Sequence, residues 1–587
     1  MLLCVLLPQC LAFSGSEYSD RDKVAVIASK VGPYFNSVET YEYYSLPFCP
    51  PDHMKELSHN LGEILSGDRK ILTPINIKFK VPVEKRILCK KKLSKEQVSQ
   101  FIQAVDQDYY FEMQVDQLPV WGYVGMALTN LDTEDLLGGE NTVDVTKHFV
   151  YPHMDFSFQY NKDKIYSVKV KPELSKAIRL VEGTELSVEY SYGVSWGSTV
   201  EDPAQRSESY HKSEYLEATF DIHWLSIINS FVLVVLLTIL LGAIFLRVLR
   251  NDLTRYMQVD EEQSLSDDSG WKLIHGDVFR FPENQLLFTA VIGAGTQLLL
   301  LSASVLVLVS LPLFSTSKKG TISTIALVLY ALTATLGGYV SAKYYKQMGG
   351  MNCVWNTFVT AILFPAPLLI VFMVLNSIAI VYDSTAALPF GTIMIVFVVY
   401  VAATLPLTVL GAMIGKKHAG VFESPCRTTK VQREIPTASP LHRPLFQFIV
   451  AGFLPFSAIY IELHYLFASI WGHKVYTLFG LLILAFVLLV IVTSFITVGL
   501  IYFRLADEDH RWWWRSFQYG GAVGLFVYAY SIFYFFFRSS MSGPLQTSFF
   551  FGYMFIASYA FSLALGTVGF FSSLKFVRVI YAAIKLD

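Results

Sequence analysis

The sequence predicts a membrane protein in two parts: a β-rich, sandwich-like N-terminal domain, then a bundle of nine transmembrane α-helices. Three observations predict it. Composition changes near Ile222, from mixed polar sequence to apolar runs with short polar breaks. Each of those runs is long enough to cross about 30 Å of hydrocarbon at 1.5 Å per residue. Before Ile222, apolar and polar residues alternate with the period of a strand. The chain is 53% hydrophobic and 16% charged, less charged than soluble chains of this size. Its net charge of −2 provides no basic field for nucleic acid.

Residues 1–14, "MLLCVLLPQCLAFS", read as a signal peptide with a short apolar core, too short to span a bilayer. It would deliver residues 15–221 to the secretory lumen. That stretch holds strand patterns. In "INIKFKVPV", Ile75, Ile77, Phe79, Val81 and Val83 share one face. In "MDFSFQYNKDKIYSVKV", Met154, Phe156, Phe158 and Tyr160 do the same, and Asn161 to Lys164 turn the chain into a second strand. "TELSVEYSYGVSW" alternates again. Residues 94–107 read as a short helix, with Ser94 as N-cap and Gln97 completing a capping box. Cys49 and Cys89 are the two cysteines of this domain, and an oxidising lumen permits a disulfide between them; two free thiols are the alternative. His53, His59, His148 and His153 are scattered without metal-ligand spacing, so no metal is expected. No Asn-x-Ser/Thr glycosylation acceptor occurs.

Residues 222–587 form the nine-span domain with a short tail. The spans are placed near 224–246, 286–313, 321–343, 355–381, 390–414, 446–471, 476–503, 517–537 and 547–574. Chains cannot leave backbone groups bare in lipid, so these are helices. With the first domain luminal, the segments on the other side carry nineteen Lys and Arg residues, and the luminal loops carry four. That bias follows the positive-inside rule and puts the C-terminus in the cytosol.

At this point the chain resembles a known family, the nonaspanins or transmembrane nine superfamily. The matching stretches run in order along nearly all of it: "VGPY", "ETYEYYSLPFC", "LGEILSGDR", "LPVWGYVG", "IHWLSIINS", "LRNDLTRY", "GWKLIHGDVFRFP", "ALPFGT", "PCRT" with "REIP", "GFLPFSAIYIELHY", "DEDHRWWWRSF" and "AAIKLD". After "REIP" the chain reads "TASPLHRP" where the family has a Pro-Trp-Tyr type of sequence, so that segment's role does not carry over. The resemblance implies a protein of Golgi, endosomal or lysosomal membranes. It implies sorting and surface delivery of transmembrane cargo with glycine-rich or polar helices, links to adhesion and autophagy, and no enzymatic activity or cofactor. The ending Lys585-Leu586-Asp587 resembles the family's K-x-D/E retention signal, read by the COPI coat at a free cytosolic end.

The residues add a candidate site. Glu462 and His464 lie inside the span near 446–471. A carboxylate at mid-membrane costs roughly 2.5–3.5 kcal/mol to insert, so it needs a partner, a cavity or a proton. The two residues are about 200° apart around a helix and do not share a face. Three readings stand. Glu462 is internal glue bonded to Asn229 or Asn376; or it lines a groove that hydrogen-bonds a cargo helix; or it carries protons or ions in a transporter or channel, for which no further acid stands in the other spans. A scaffold for autophagy or trafficking partners is a further alternative. Gly411 with Gly415, and Gly520 with Gly524, are spaced for close helix contact. Trp512, Trp513 and Trp514 between Arg511 and Arg515 read as interfacial anchors, with a lipid headgroup as a lesser option. "GWKLIHGDVFRFP" is amphipathic, and Trp271, Ile274, Val278 and Phe281 are placed to pack under the bundle. No phosphate-loop or H-E-x-x-H motif is present.

Overall fold

A computed structural model of the chain describes residues 16–202 except 58–60, 66 and 129–145, and residues 270–582 except 311–320, 437–443 and 473–478. Between 203 and 269 it describes scattered residues, all of them helical from Ile228 onward. The signal peptide, most of the first span with Asn229, and the tail with Lys585 and Asp587 therefore lie outside the described residues.

The N-terminal part is β-rich. One four-stranded sheet has the order β2-β1-β4-β5, from β1 (Lys23–Pro33), β2 (Ile71–Lys78), β4 (Tyr109–Val115) and β5 (Leu118–Tyr123). A second has the order β3-β11-β8-β9, from β3 (Val83–Leu93), β8 (His153–Asn161), β9 (Lys164–Pro172) and β11 (Leu186–Ser198). A small third sheet joins β6 (Gly125–Leu128), β7 (Lys147–Val150) and β10 (Ile178–Leu180). Period-two alternation puts Val24, Val26, Ile77 and Met113 of the first sheet into one core with Phe156, Phe158, Val188 and Tyr192 of the second. The short α1 is Leu61–Leu65. Helix α2 (Lys95–Asp106) closes one end of the core with Phe101, and Ser94 and Gln97 form the capping box its sequence predicts. The hairpin turn after Asn161 also stands where the sequence places it, with Asn161 paired to Lys164.

One strand differs. "INIKFKVPV" is not continuous: β2 ends at Lys78, and β3 starts at Val83. Lys80 takes a left-handed φ of 59°, and Pro82 has no N–H for a ladder, so the chain turns there although its side chains alternate. Cys49 and Cys89 are joined, with Cα atoms 6.2 Å apart, which ties the loop after β1 to β3.

Among the described residues, eight helical segments are long and apolar enough to cross a membrane. They are α3 (Gln285–Ser310), α4 (Thr321–Gln347), α5 (Cys353–Ile362) continued by α6 (Pro365–Val381), α7 (Phe390–Val399) continued through a π-turn by α8 (Leu405–Lys417), α9 (Pro444–Ile470), α10 (Phe479–Ala506), α11 (Trp512–Phe537) and α12 (Pro544–Ala582). Each overlaps a predicted span, and the described residues of the first predicted span are helical and reach α10, Gly242 lying near Phe495. Small residues set the closest approaches. A Cβ on Gly411 would stand 1.8 Å from the Thr335 carbonyl oxygen, and one on Gly520 would stand 2.3 Å from that of Leu565. Both glycine pairs thus pack inside the bundle.

The β-domain is strapped to the bundle by residues 36–40. Ser37 Oγ donates to the Trp471 carbonyl at 3.2 Å, and Gln546 Oε1 accepts from Val38 N at 3.0 Å. Thr385 N donates to the Thr40 carbonyl at 2.8 Å, and Ser542 N donates to Asn36 Oδ1 at 3.0 Å. The connections α6–α7, α9–α10 and α11–α12 therefore all meet one strap.

Other connections assemble a separate cluster. Trp271, Ile274 and Val278 pack with Trp512, Trp513, Phe570 and Tyr581. Trp512 Nε1 donates to the Val278 carbonyl at 2.7 Å. This corrects the anchor reading of the tryptophans: Trp512 is 0% and Trp513 2% exposed. The amphipathic segment 271–281 covers them, because its own apolar face needed a partner.

Candidate functional site

Helix α9 carries the intramembrane acid. Pro455 inside it cannot donate to Ala451, which leaves one carbonyl of the helix ladder without its usual bond. Two stripes run down the helix at three- and four-residue spacing. Leu454 and Ala458 pack with Val492 and Ile496 of α10. Ile459, Leu463 and Phe467 pack with Val523, Val527, Tyr530 and Tyr534 of α11. Glu462 follows Ala458 by one turn, so it continues the stripe that faces α10. Its Oε2 is buried and has no hydrogen-bond partner among the described residues. An oxygen in that state carries an unrecovered desolvation cost of several kcal/mol if ionised, and less if protonated.

His464 belongs to the other stripe. Its Nδ1 lies 3.0 Å from the Tyr530 hydroxyl, and its ring meets Tyr534 edge-on at 6.0 Å. Asn376 is not brought to Glu462 either. It sits at the end of α6, and its Oδ1 accepts from Leu388 N at 2.8 Å, holding the α6–α7 connection. That removes one of the two partners of the internal-glue reading; the other, Asn229, lies outside the described residues. Some other polar residues of the bundle find carbonyls: Gln297 Nε2 donates to that of Tyr330 at 3.0 Å and Thr333 Oγ1 to that of Leu329 at 2.8 Å, whereas Thr493 Oγ1, Ser558 Oγ and Ser573 Oγ, like Glu462 Oε2, have no partner among the described residues.

Two polar clusters were invisible in the sequence. Asn356 is fully buried and joins three helices: it donates to Thr289 Oγ1 of α3 at 2.8 Å and accepts from Ser341 Oγ of α4 at 2.9 Å. At the end of α10, Arg504 is 6% exposed. Its Nε donates to Gln447 Oε1 at 2.9 Å and its Nη1 to Asp509 Oδ2 at 2.9 Å, and the Tyr519 hydroxyl donates to the same Gln447 oxygen at 2.5 Å. Both clusters are internal bonding, although Arg504 Nη2 has no hydrogen-bond partner among the described residues. Arg504 reads in sequence only as one more flanking cation, and no spacing rule links it to Gln447. Nearby, Asp277 Oδ2 accepts from Arg433 N at 3.1 Å, and its Oδ1 accepts from Arg280 Nε at 3.1 Å. Burial opposes the charge, but these donors hold the Asp277 carboxyl below its usual range.

What distinguishes Glu462 from the unpartnered hydroxyls is that it is an acid inside a span, with an Oε2 that has no partner among the described residues. The comparisons with known proteins fit such a membrane bundle. The sequence profile of endomembrane protein 70 matches residues 40–544. The chain is 45% identical over 574 residues to transmembrane 9 superfamily member 4 of Arabidopsis thaliana, covering 98% of this chain and 95% of that one. It is 43% identical over 585 residues to transmembrane 9 superfamily member 1 of Mus musculus, covering 97% and 95%. It is 42% identical over 591 residues to a protein of Dictyostelium discoideum named putative phagocytic receptor 1b, covering 100% and 98%. No solved structure matches.

Proposed function

The chain belongs to the endomembrane protein 70 family, the transmembrane 9 superfamily, and from that premise we propose that it is a non-enzymatic trafficking factor that binds transmembrane helices of other membrane proteins. The observation that carries this reading is the buried Glu462 Oε2 without a partner among the described residues. A helix bearing an amide, hydroxyl or exposed glycine backbone would supply the missing donor. Each such bond between helices is worth about 0.6 kcal/mol and at most about 2 kcal/mol, which suits reversible sorting better than permanent assembly. The β-domain is luminal in this reading, the C-terminus is cytosolic, and the protein works in Golgi and endosomal or lysosomal membranes. Lys585 and Asp587 serve as the COPI-read retention signal. The family relative named a putative phagocytic receptor is consistent with surface-delivered cargo.

The test is crosslinking in membranes between this protein and a single-span reporter whose helix carries one Asn. Wild type and Glu462→Gln should capture the reporter, because an amide still hydrogen-bonds, and Glu462→Leu should lose it. Equal capture by Glu462→Leu would remove Glu462 from any cargo groove. A second reading, a proton or ion path through Glu462, rests on the same oxygen. It predicts that Glu462→Gln abolishes pH-driven flux in liposomes, since an amide cannot carry a proton.

A further inference from the structure

We propose that the β-domain holds a divalent metal site, of zinc type, on His153, Asp155 and Glu173. One donor atom from each lies within 4.8 Å of the others. The sheet register builds this cluster. His153 stands beside Ser191 and Asp155 beside Gly193 across the parallel pair β8–β11. On the other side Met154 faces Pro172, so Glu173, just past the end of β9, falls level with His153. The three ligands thus come from one hairpin backed by a third strand, and no sequence spacing betrays them.

The local chemistry is that of a cation site. His153 is 2% exposed, and its Nδ1 is fixed by the Ser191 hydroxyl at 2.8 Å. That outer bond is what orients a metal-binding imidazole, because it turns the other nitrogen to the ligand. The other nitrogen, Nε2, points at Asp155 Oδ1, 3.0 Å away. Residue 193 has no side chain, and its glycine leaves the place where Asp155 lies: a Cβ there would be 2.2 Å from Asp155 Oδ1. Asp155 meets the buried imidazole and Glu173 has an oxygen within 4.8 Å of both, so two carboxylates gathered there call for positive charge. A surface lysine now supplies part of it, with Lys176 Nζ 2.5 Å from Glu173 Oε2 and both side chains 38% exposed. Ser175 Oγ also donates to Glu173 at 2.7 Å. Asp155, 43% exposed, keeps one side of the cluster open for entry and for a water as fourth ligand. One imidazole and two carboxylates suit zinc or a neighbouring first-row dication.

The experiment uses the full chain in detergent, stripped with chelator and then equilibrated with zinc. Wild type should retain one zinc per chain and unfold at a higher temperature with it. Glu173→Gln, Asp155→Asn and His153→Gln should each weaken binding about tenfold or more, the scale even of outer-shell losses at such sites. Lys176→Met should tighten it, because the competing ammonium is gone; a purely structural hairpin cluster would not respond that way. Glu173 is at the surface, so Glu173→Gln keeps the test valid if His153→Gln does not fold. The proposal is overturned if wild type retains no zinc, or if Glu173→Gln retains as much as wild type.

Discussion

Replacing Gly520 by alanine adds one methyl at a close helix pair of the bundle, α11 against α12. That methyl would stand 2.3 Å from the Leu565 carbonyl oxygen, about 1 Å short of the 3.4 Å at which ordinary contact begins. The obstacle is backbone, so no side-chain rotation relieves it, and α11 and α12 must part. Overpacking of this kind costs about 1–3 kcal/mol. Gly499 is the matched control. It also lies within a transmembrane helix, and a Cβ there meets nothing within 4 Å. Gly499→Ala should therefore gain up to about 1 kcal/mol from helix propensity alone. Both variants gain the same helix propensity, so they should separate by the overpacking cost, about 1–3 kcal/mol. Thermal unfolding in detergent, followed by helical circular dichroism, reads the difference directly, with Gly520→Ala below wild type and Gly499→Ala at or above it. If both melt together, small residues do not set the α11–α12 approach and the packing argument fails.

Two further outcomes follow from local chemistry. Replacing Cys49 and Cys89 by serine opens a 40-residue loop and should cost the β-domain about 4 kcal/mol, seen as earlier proteolysis between β1 and β3 while the bundle stays folded. Burial pushes the His510 imidazole below its ordinary 6.5, against the pull of Asp277 and Asp509, and its Nε2 lies 2.9 Å from the Gln432 amide nitrogen, which donates to the neutral ring. The folded state thus favours neutral His510, so its contribution is complete above pH 6.5 and is lost as pH falls through the depressed value. The melting temperature of wild type should fall more steeply than that of His510→Asn between pH 7.5 and 5.5, and parallel slopes would count against the assignment.

The spans were legible because hydropathy over twenty residues is a strong and local signal, and α3 to α12 begin and end within a few residues of their predicted limits in most cases. Strand alternation was legible for the same reason. It failed at Phe79 to Val83, where periodicity continued but Lys80 and Pro82 turned the backbone. The tryptophans at 512 and 513 were misread because interfacial and buried tryptophans look alike until the segment that covers them is placed. At the candidate site, helix spacing sets Glu462 and His464 about 200° apart, and His464 turns to Tyr530. The supposed Asn376 partnership could not be judged from depth alone, since the α6–α7 connection folds back to claim that amide.

The strap at residues 36–40 ties the β-domain to the bundle. It is one short segment, yet it grips three helix connections at once, and one of these is the connection that Asn376 also secures. Hydrogen bonds that share a single segment open together, so their release is cooperative and not piecemeal. A pull on the β-domain is therefore divided among α6, α9, α11 and α12 in the same instant, and α9 is the helix that carries Glu462. From the acid to the strap's contact at Trp471 run nine residues of helix, the stretch from Glu462 to Ile470.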